Sequence, residues 1–132
     1  MNQVMREIRQ YMHEMAEDAD GWVTALFTFP HEFIGFRGHF PGNPILPGLC
    51  EIQAVMVMLQ ERKKSEANIR EISMAKFISP ISTNEEVVFK CRERTDGDGS
   101  TSVTALAFSK GRKVAEFRLK VNVEMESRIE KA

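Results

Sequence analysis

Apolar side chains recur at helical spacing over residues 3–17, and charged side chains occupy the rest of the helical wheel. The apolar set is Val4, Ile8, Tyr11, Met12 and Met15. Asn2 is a suitable N-cap, and Asp20-Gly21 ends the pattern. The spacing predicts an N-terminal amphipathic helix within residues 1–20.

Residues 22–29 alternate instead of following the helical period. One face carries apolar side chains, and Thr24 and Thr28 lie on the other. The apolar residues are Val23, Ala25, Phe27 and Phe29. This alternation predicts a strand with one buried side.

A long segment, residues 30–47, is interrupted by seven glycines and prolines. They are Pro30, Gly35, Gly38, Pro41, Gly42, Pro44 and Pro47. We expect no regular element to survive this density of breakers, so the segment is predicted to be a loop. Its three phenylalanines, Phe33, Phe36 and Phe40, favour an ordered loop over a disordered one.

Residues 48–62 are apolar on every side of a helix, which is typical of a helix enclosed by the rest of the domain. Four strands are then predicted, with a charged tail after them. The strands cover residues 69–78, 85–94, 101–109 and 113–123, and the tail covers residues 124–132. Together the patterns predict a single α+β domain over residues 1–132, with an antiparallel sheet curled around the buried helix.

Composition narrows the class of function. A formal net charge of −1 leaves no overall positive field for nucleic acid or an anionic membrane. We find no secretory segment and no apolar run long enough to cross a membrane, so a cytoplasmic protein is expected. Cys50 and Cys91 lack the spacing of a zinc site and are interpreted as reduced thiols.

The loop delivers one imidazole, His39, and then turns directly into the enclosed helix at Pro47-Gly48. The first turn of a helix has backbone N–H groups without intrahelical partners, which can polarise a carbonyl or hold an anion. Gly48 has no side chain, so a ligand oxygen could approach its N–H closely. His13 and His31 have no comparable surroundings and are expected on a helix surface and in a loop.

Residues 38–48 read Gly-His-Phe-Pro-Gly-Asn-Pro-Ile-Leu-Pro-Gly. This segment resembles, in register, the signature of the FabA/FabZ-like 3-hydroxyacyl-acyl-carrier-protein dehydratases. Ala75-Lys76-Phe77, followed by Pro80, also resembles a strand of that family. The resemblance implies a hotdog fold from about residue 22 to residue 123. The chain departs from the family pattern at its N-terminus, where the predicted helix replaces the family's usual opening segment.

The resemblance implies a chemistry without metal or organic cofactor. His39 would remove the proton α to a thioester, and the Gly48 N–H would polarise the thioester carbonyl. Substrate contacts are expected from the remaining loop residues and the start of the helix, namely Phe40, Pro41, Gly42, Ile45, Pro47 and Leu49. The implied substrate is carried by an acyl carrier protein or coenzyme A, and the implied assembly is a dimer with a site built by both subunits.

The chain departs from the family pattern where a catalytic acid is expected, fourteen residues after the histidine, because Gln53 stands there. An amide can hydrogen-bond a hydroxyl but has no acidic proton to give near neutral pH. Glu51 is close in sequence, but two residues along a helix correspond to a rotation of about 200°. We therefore expect Glu51 on the first helical turn, where a carboxylate suits the helix dipole, unless the helix register is shifted.

Several alternatives remain open from the sequence. Gln53 is compatible with a working dehydratase, with an impaired carrier-binding subunit completed by a homologous partner, or with a thioesterase.

Cys50 is either a nucleophile beside His39 or a packing residue, and packing is the more frequent role of such a cysteine. Met56 and Met58 either line an acyl tunnel or pack the core. The basic run Arg62-Lys63-Lys64 either docks an acidic carrier or ends the helix at solvent.

Overall fold

The computed structural model describes residues 2–37 and 42–123. Three helical segments are present there: α1 (Gln3–Gln10), a short 3₁₀ helix (Ile34–Phe36) and α2 (Gly48–Lys63). The strands are β1 (Met12–Glu17), β2 (Val23–Thr28), β3 (Ala67–Phe77), β4 (Glu86–Thr95), β5 (Thr101–Ser109) and β6 (Arg112–Val123). Residues 38–41 and the predicted charged tail, residues 124–132, lie outside the described residues.

The six strands form one antiparallel sheet in the order β1-β2-β4-β5-β6-β3. Side chains alternate between the two faces, and the inward positions of β2, β4, β5 and β6 are buried. Helix α2 fills the inner side of this curled sheet. The predicted α+β class and hotdog architecture are therefore confirmed.

Helix α2 is the centre of the core. Every residue from Cys50 to Gln60 except Gln53 is buried. Phe27, Phe89 and Phe117 pack around it from the sheet, and each is fully buried. Burying a side chain of this size stabilises the fold by about 1.5–3 kcal/mol. The prediction of an enclosed helix is confirmed, with its end one residue later than expected.

The N-terminal segment corrects the sequence prediction, because the helix ends at Gln10 and residues 12–17 form the edge strand β1. Met12 lies opposite Phe27 of β2. The register shifts between His13 and Ala16, where Glu14 has a positive φ of 52°. Backbone pairing with β2 outweighs the helical spacing, and the bulge disrupts the alternation that would have marked a strand. His13 therefore lies on a strand, not on a helix.

The four strands predicted in the second half are confirmed, with ends that differ by at most two residues. The region expected to lack regular structure contains a 3₁₀ turn at Ile34–Phe36. Phe33 and Phe36 of this segment are buried, so its aromatic side chains anchor it in the core. The part of the loop that the structure describes therefore agrees with the prediction of an ordered loop.

Candidate active site

The loop that leads to α2 is anchored at both described ends. The Ile34 N–H donates to Glu7 Oε1 of α1 at 3.2 Å. At the other end, the Leu46 N–H donates to the Ile81 carbonyl at 2.8 Å, and Ile45 forms an isolated bridge with Ser82. These bonds position the entry to α2 relative to the segment that follows β3.

The start of α2 presents two backbone donors. Pro47 is the N-cap, and its carbonyl accepts from the N–H groups of Cys50 and Glu51 at 2.9 and 3.3 Å. The N–H groups of Gly48 and Leu49 make no hydrogen bond to any described residue. Such a pair of donors, at the positive end of the helix dipole, suits a thioester carbonyl or an oxyanion.

The ring of Phe77, the last residue of β3, lies against Gly48. A Cβ added at Gly48 would meet ring carbons of Phe77 at 2.6 and 2.7 Å. The Phe77 ring is also 5.4 Å from the Phe117 ring and is half exposed. The glycine at position 48 therefore permits this close approach, and an aromatic ring flanks the two backbone donors.

Leu49 and Gln53 lie one turn apart on the same side of α2. Leu49 is 62% exposed, and Gln53 is the only partly exposed residue between Cys50 and Gln60. Phe77 and Ile78 are also exposed near this end of the helix. The side of α2 that carries Gln53 is therefore open in the single chain and bordered by apolar side chains.

Glu51 contrasts with Gln53. Its side chain is 3% exposed, and its Oε1 has no hydrogen-bond partner among the described residues. Burial raises the pKa of the Glu51 carboxyl to about 8. The residue lies in the first turn of α2, as predicted, and its side chain is buried there. The burial of this carboxyl was not predicted, and the signal that could have indicated it is the apolar character of the helix on every side.

Cys50 packs against the 3₁₀ segment rather than facing a substrate. A Cβ added at Gly35 would come within 2.9 Å of Cys50 Sγ. Burial raises the pKa of the Cys50 thiol to about 11, so thiolate is scarce near neutral pH. These features favour the packing interpretation. Met56 and Met58 are likewise buried in the core.

The basic run at the end of α2 is engaged within the chain. Arg62 forms ion pairs with Glu17 at 2.9 Å and with Glu93 at 3.0 Å. Lys63 pairs with Glu93, and Lys64 pairs with Glu61, both at 3.5 Å. Intramolecular carboxylates therefore partner the charges that the sequence suggested as a docking site.

The described residues hold part of the predicted site. Ile45, Pro47, Gly48, Leu49 and Gln53 lie at or near the open start of α2, and Gly42 lies at a turn with a φ of 87°. His39, Phe40 and Pro41 lie outside the described residues, so their predicted roles stay predictions. Within residues 2–37 and 42–123, no group of His, Cys, Asp and Glu side chains could hold a metal ion.

A helix enclosed by a curled antiparallel sheet, with backbone donors at the start of that helix, defines a hotdog protein. The family model of the ApeI-like proteins, described as ApeI dehydratase, matches residues 14–123. The chain belongs to this dehydratase family. No helix in the described part of the chain is long and apolar enough to cross a membrane.

Two curated relatives are FabZ 3-hydroxyacyl-[acyl-carrier-protein] dehydratases. The protein of Ehrlichia chaffeensis is 27% identical over 109 residues, which covers 67% of this chain and 75% of the relative. The protein of a Wolbachia strain from Drosophila simulans is 30% identical over 96 residues, covering 67% of this chain and 66% of the relative. These matches support the resemblance to FabA/FabZ-like dehydratases.

Solved structures agree on the fold. A chain of the dehydratase heterocomplex ApeI:P from Xenorhabdus doucetiae is 21% identical with a TM-score of 0.67, covering 83% of this chain and 95% of that one. A hypothetical thioesterase from Streptococcus pneumoniae, solved with coenzyme A, is 12% identical with a TM-score of 0.62. It covers 84% of each chain. At these identities the likeness extends to the fold alone.

Proposed function

We propose that the protein removes water from a 3-hydroxyacyl thioester in the cytoplasm, as part of fatty-acid or related acyl-chain synthesis. Acyl carrier protein is the proposed carrier, and coenzyme A is the other candidate. The observation that carries the proposal is the pair of unengaged N–H groups at Gly48 and Leu49. They follow directly on the loop whose sequence matches the dehydratase signature.

In the proposed reaction, His39 accepts the proton from the carbon α to the thioester. The developing negative charge on the thioester oxygen is stabilised by the Gly48 N–H. The bond between the β-carbon and its hydroxyl then breaks, and its electron pair leaves with the oxygen. The departing oxygen takes a proton that returns from the His39 imidazolium through a bound water, so that water leaves and His39 is neutral again. Gln53 would hold the hydroxyl, or a water that carries this proton, through its amide.

The open side of α2 is bordered by apolar side chains, which suits the acyl chain of the substrate. Leu49 and Phe77 are 62% and 51% exposed there, and exposed apolar side chains that lie together mark a binding surface for a ligand or a partner. Phe77 is the last residue of β3, an eleven-residue strand at one edge of the sheet. We propose that a second copy of the chain pairs with this edge and encloses the substrate between the two subunits.

Purified protein supplied with 3-hydroxyacyl thioesters on acyl carrier protein and on coenzyme A tests the proposal. Products are identified by mass. We expect an enoyl thioester from the wild type and a loss of about 10²–10⁴-fold in kcat for His39→Ala. His31→Ala is the matched control, because His31 is exposed and lies on the approach to the 3₁₀ segment. Equal losses in both variants would overturn the assignment of His39.

The amide at Gln53 favours a second candidate function, in which the chain is a carrier-binding subunit that needs an acid from a homologous partner. A silent wild type that becomes active as Gln53→Glu would support this candidate over a self-sufficient enzyme. Free 3-hydroxy acid as the product would instead indicate a thioesterase, with Gln53 holding the attacking water. The same assay therefore separates all three functions.

A further inference from the structure

The outer face of the sheet carries a groove that the proposed reaction does not use. It has a volume of about 580 Å³ and opens to solvent. Three arginines and three hydroxyl side chains line it, together with the carboxylate residues Asp20 and Glu93. These polar residues are Arg92, Arg94, Arg118, Ser73, Ser102 and Thr104.

Strand register places two of these arginines on either side of one threonine. Arg92 of β4 lies opposite Thr104 of β5, and Thr104 lies opposite Arg118 of β6. Neighbouring strands are about 4.8 Å apart, so the two arginine Cα atoms are separated by about 10 Å. Both side chains point away from α2, because the alternate positions on their strands are buried against it.

Neither guanidinium group forms an ion pair with a described carboxylate. Glu116 is paired with Lys113 at 2.8 Å, which lowers the pKa of its carboxyl, and the charge of Arg118 adds to that effect. Within residues 2–37 and 42–123, no Asp or Glu oxygen lies at salt-bridge distance from Arg92 or Arg118. Arg94, at the rim of the groove, is paired with Asp96 at 3.3 Å. Glu93 points to the other side of the sheet, where Arg62 and Lys63 hold it. The groove therefore holds two guanidinium charges that are not neutralised by an ion pair, with Asp20 as a further charged residue of its lining.

Trp22 holds one of the arginines in place. The Arg92 guanidinium lies 4.7 Å from the centroid of the indole ring, and the Lys90 ammonium lies 4.9 Å from it. A cation on an aromatic face loses side-chain freedom before any ligand binds. Ser73 and Ser102 donate their hydroxyl protons to Glu71 and Asp96, whereas Thr104 makes no side-chain hydrogen bond to a described residue.

We propose that this groove binds the phosphate group of a small molecule between Arg92 and Arg118, with the Thr104 hydroxyl beneath it. Guanidinium groups bind phosphate oxygens through paired hydrogen bonds, and two of them on opposite sides suit a multiply charged anion. The site is distinct from the open start of α2, since it lies on the other face of the sheet. It therefore binds independently of the proposed dehydratase reaction.

Pyrophosphate titrated calorimetrically into the whole protein at low ionic strength tests the site. We expect binding by the wild type, and affinity weakened about tenfold or more in Arg92→Gln and in Arg118→Gln. Arg112→Gln removes the same charge from an exposed position of β6 outside the groove, and it should change the affinity less than about twofold. Trp22→Leu should weaken binding by a smaller factor, because it removes only the support of Arg92.

Two outcomes overturn the proposal. One is an equal loss of affinity in Arg112→Gln, which would show a general effect of net charge. The other is a wild type that does not bind pyrophosphate. If that protein binds phosphatidylglycerol-containing vesicles instead, the arginines belong to a lipid-binding surface. Thermal melting of each variant confirms that the exposed substitutions leave the fold intact.

Discussion

The aromatic ring of Phe77 lies against the backbone of Gly48, so close that a Cβ at position 48 would be 2.6 Å from a ring carbon. This contact joins the end of β3 to the first residue of α2. It brings an apolar surface next to the N–H groups that we propose to polarise the substrate carbonyl. The relationship explains why the helix begins with a glycine and why the strand ends with a large exposed ring.

Substituting Gly48 by alanine should disturb both the packing of the Phe77 ring and the access of substrate to the backbone N–H groups. The ring of Phe77 has to turn aside, and because it is half exposed we expect a cost of only about 1 kcal/mol in the free energy of unfolding. The proposed turnover should fall more than stability does, since the new methyl group lies beside the backbone donors. Urea unfolding and thioester turnover measure the two effects.

Gly97→Ala is the matched control for this substitution, because nothing lies within 4 Å of a Cβ at Gly97. In the double variant Gly48→Ala/Phe77→Leu, the smaller side chain should recover most of the lost stability. If Gly48→Ala costs as much in the Phe77→Leu background as in the wild type, the ring is not the obstacle.

The buried carboxyl of Glu51 predicts a pH dependence of stability. Its pKa is about 8 in the folded chain, against 4.5 for a free carboxyl, because burial disfavours the charged form. Below the pKa of the unfolded chain, the carboxyl is protonated in both states and its burial does not lower the stability. As the pH rises from the unfolded pKa through the folded pKa, the unfolded chain ionises more readily, so the free energy of unfolding falls. The window for Glu51 is therefore from about pH 4.5 to about pH 8.

Glu51→Gln removes this dependence while keeping the size of the side chain. Wild type and variant should be similar in stability near pH 4.5. Between pH 4.5 and about pH 8 the variant should become more stable than the wild type, by up to about 1.4 kcal/mol for each pH unit, and above pH 8 the difference should stay constant. Urea unfolding at several pH values measures the difference. Glu86→Gln, at an exposed position, should show no such divergence, and parallel curves for Glu51→Gln and wild type would contradict the buried-acid interpretation.

The sequence predicted the core better than the site. The apolar run of α2 and the alternation of β2 are strong local patterns, and both elements form where they were expected. Met12 and Met15 continue the helical spacing of α1, but both lie on β1, which pairs with β2. The sequence did not predict this strand, because pairing between distant segments leaves no mark in the local periodicity. A bulge at Glu14 further weakens the signal of that strand.

Within the site, the motif predicted the start of α2 but not the groups around it. The contact between Gly48 and Phe77 joins residues 29 positions apart, so it depends on the tertiary fold. The ion pairs of Arg62 are equally non-local, since Glu17 and Glu93 come from β1 and β4. A run of basic residues in the sequence does not reveal that its charges are already paired.

These ion pairs lead to a prediction about carrier binding. Lys63→Gln and Lys64→Gln should leave the affinity for an acidic carrier protein unchanged within about twofold, because their charges are screened or paired within the chain. Arg62→Gln should lower the melting temperature more than either lysine variant, since it breaks contacts to two strands. A large loss of carrier affinity in Lys63→Gln, without a loss of stability, would restore the basic run as a docking site.

The exposed edge of β3 leads to the last prediction, which concerns the second copy of the chain. We consider two copies of β3 that pair antiparallel about a two-fold axis. In the register that places Glu71 opposite the partner subunit's Lys76, Ile72 lies opposite the partner subunit's Ala75. The two residues of each pair lie on the same face of the sheet. Glu71 and Lys76 are on the outer face, because they lie opposite Lys120 and Glu116 of β6. Ile72 and Ala75 are on the inner face, because they lie opposite buried residues of β6. Each contact occurs twice by symmetry, so the strands would be joined by two opposite-charge pairs.

Lys76→Glu should therefore weaken self-association about tenfold, measured as the dissociation constant in sedimentation equilibrium, because it creates two like-charge pairs. The double variant Glu71→Lys/Lys76→Glu should regain a large part of that affinity. Lys110→Glu changes the charge by the same amount at an exposed turn and controls for the net charge. Circular dichroism checks that the monomers stay folded, since Glu71 and Lys76 also face charged residues of β6. Unchanged association in Lys76→Glu, or a double variant weaker than the single one, would rule out this register.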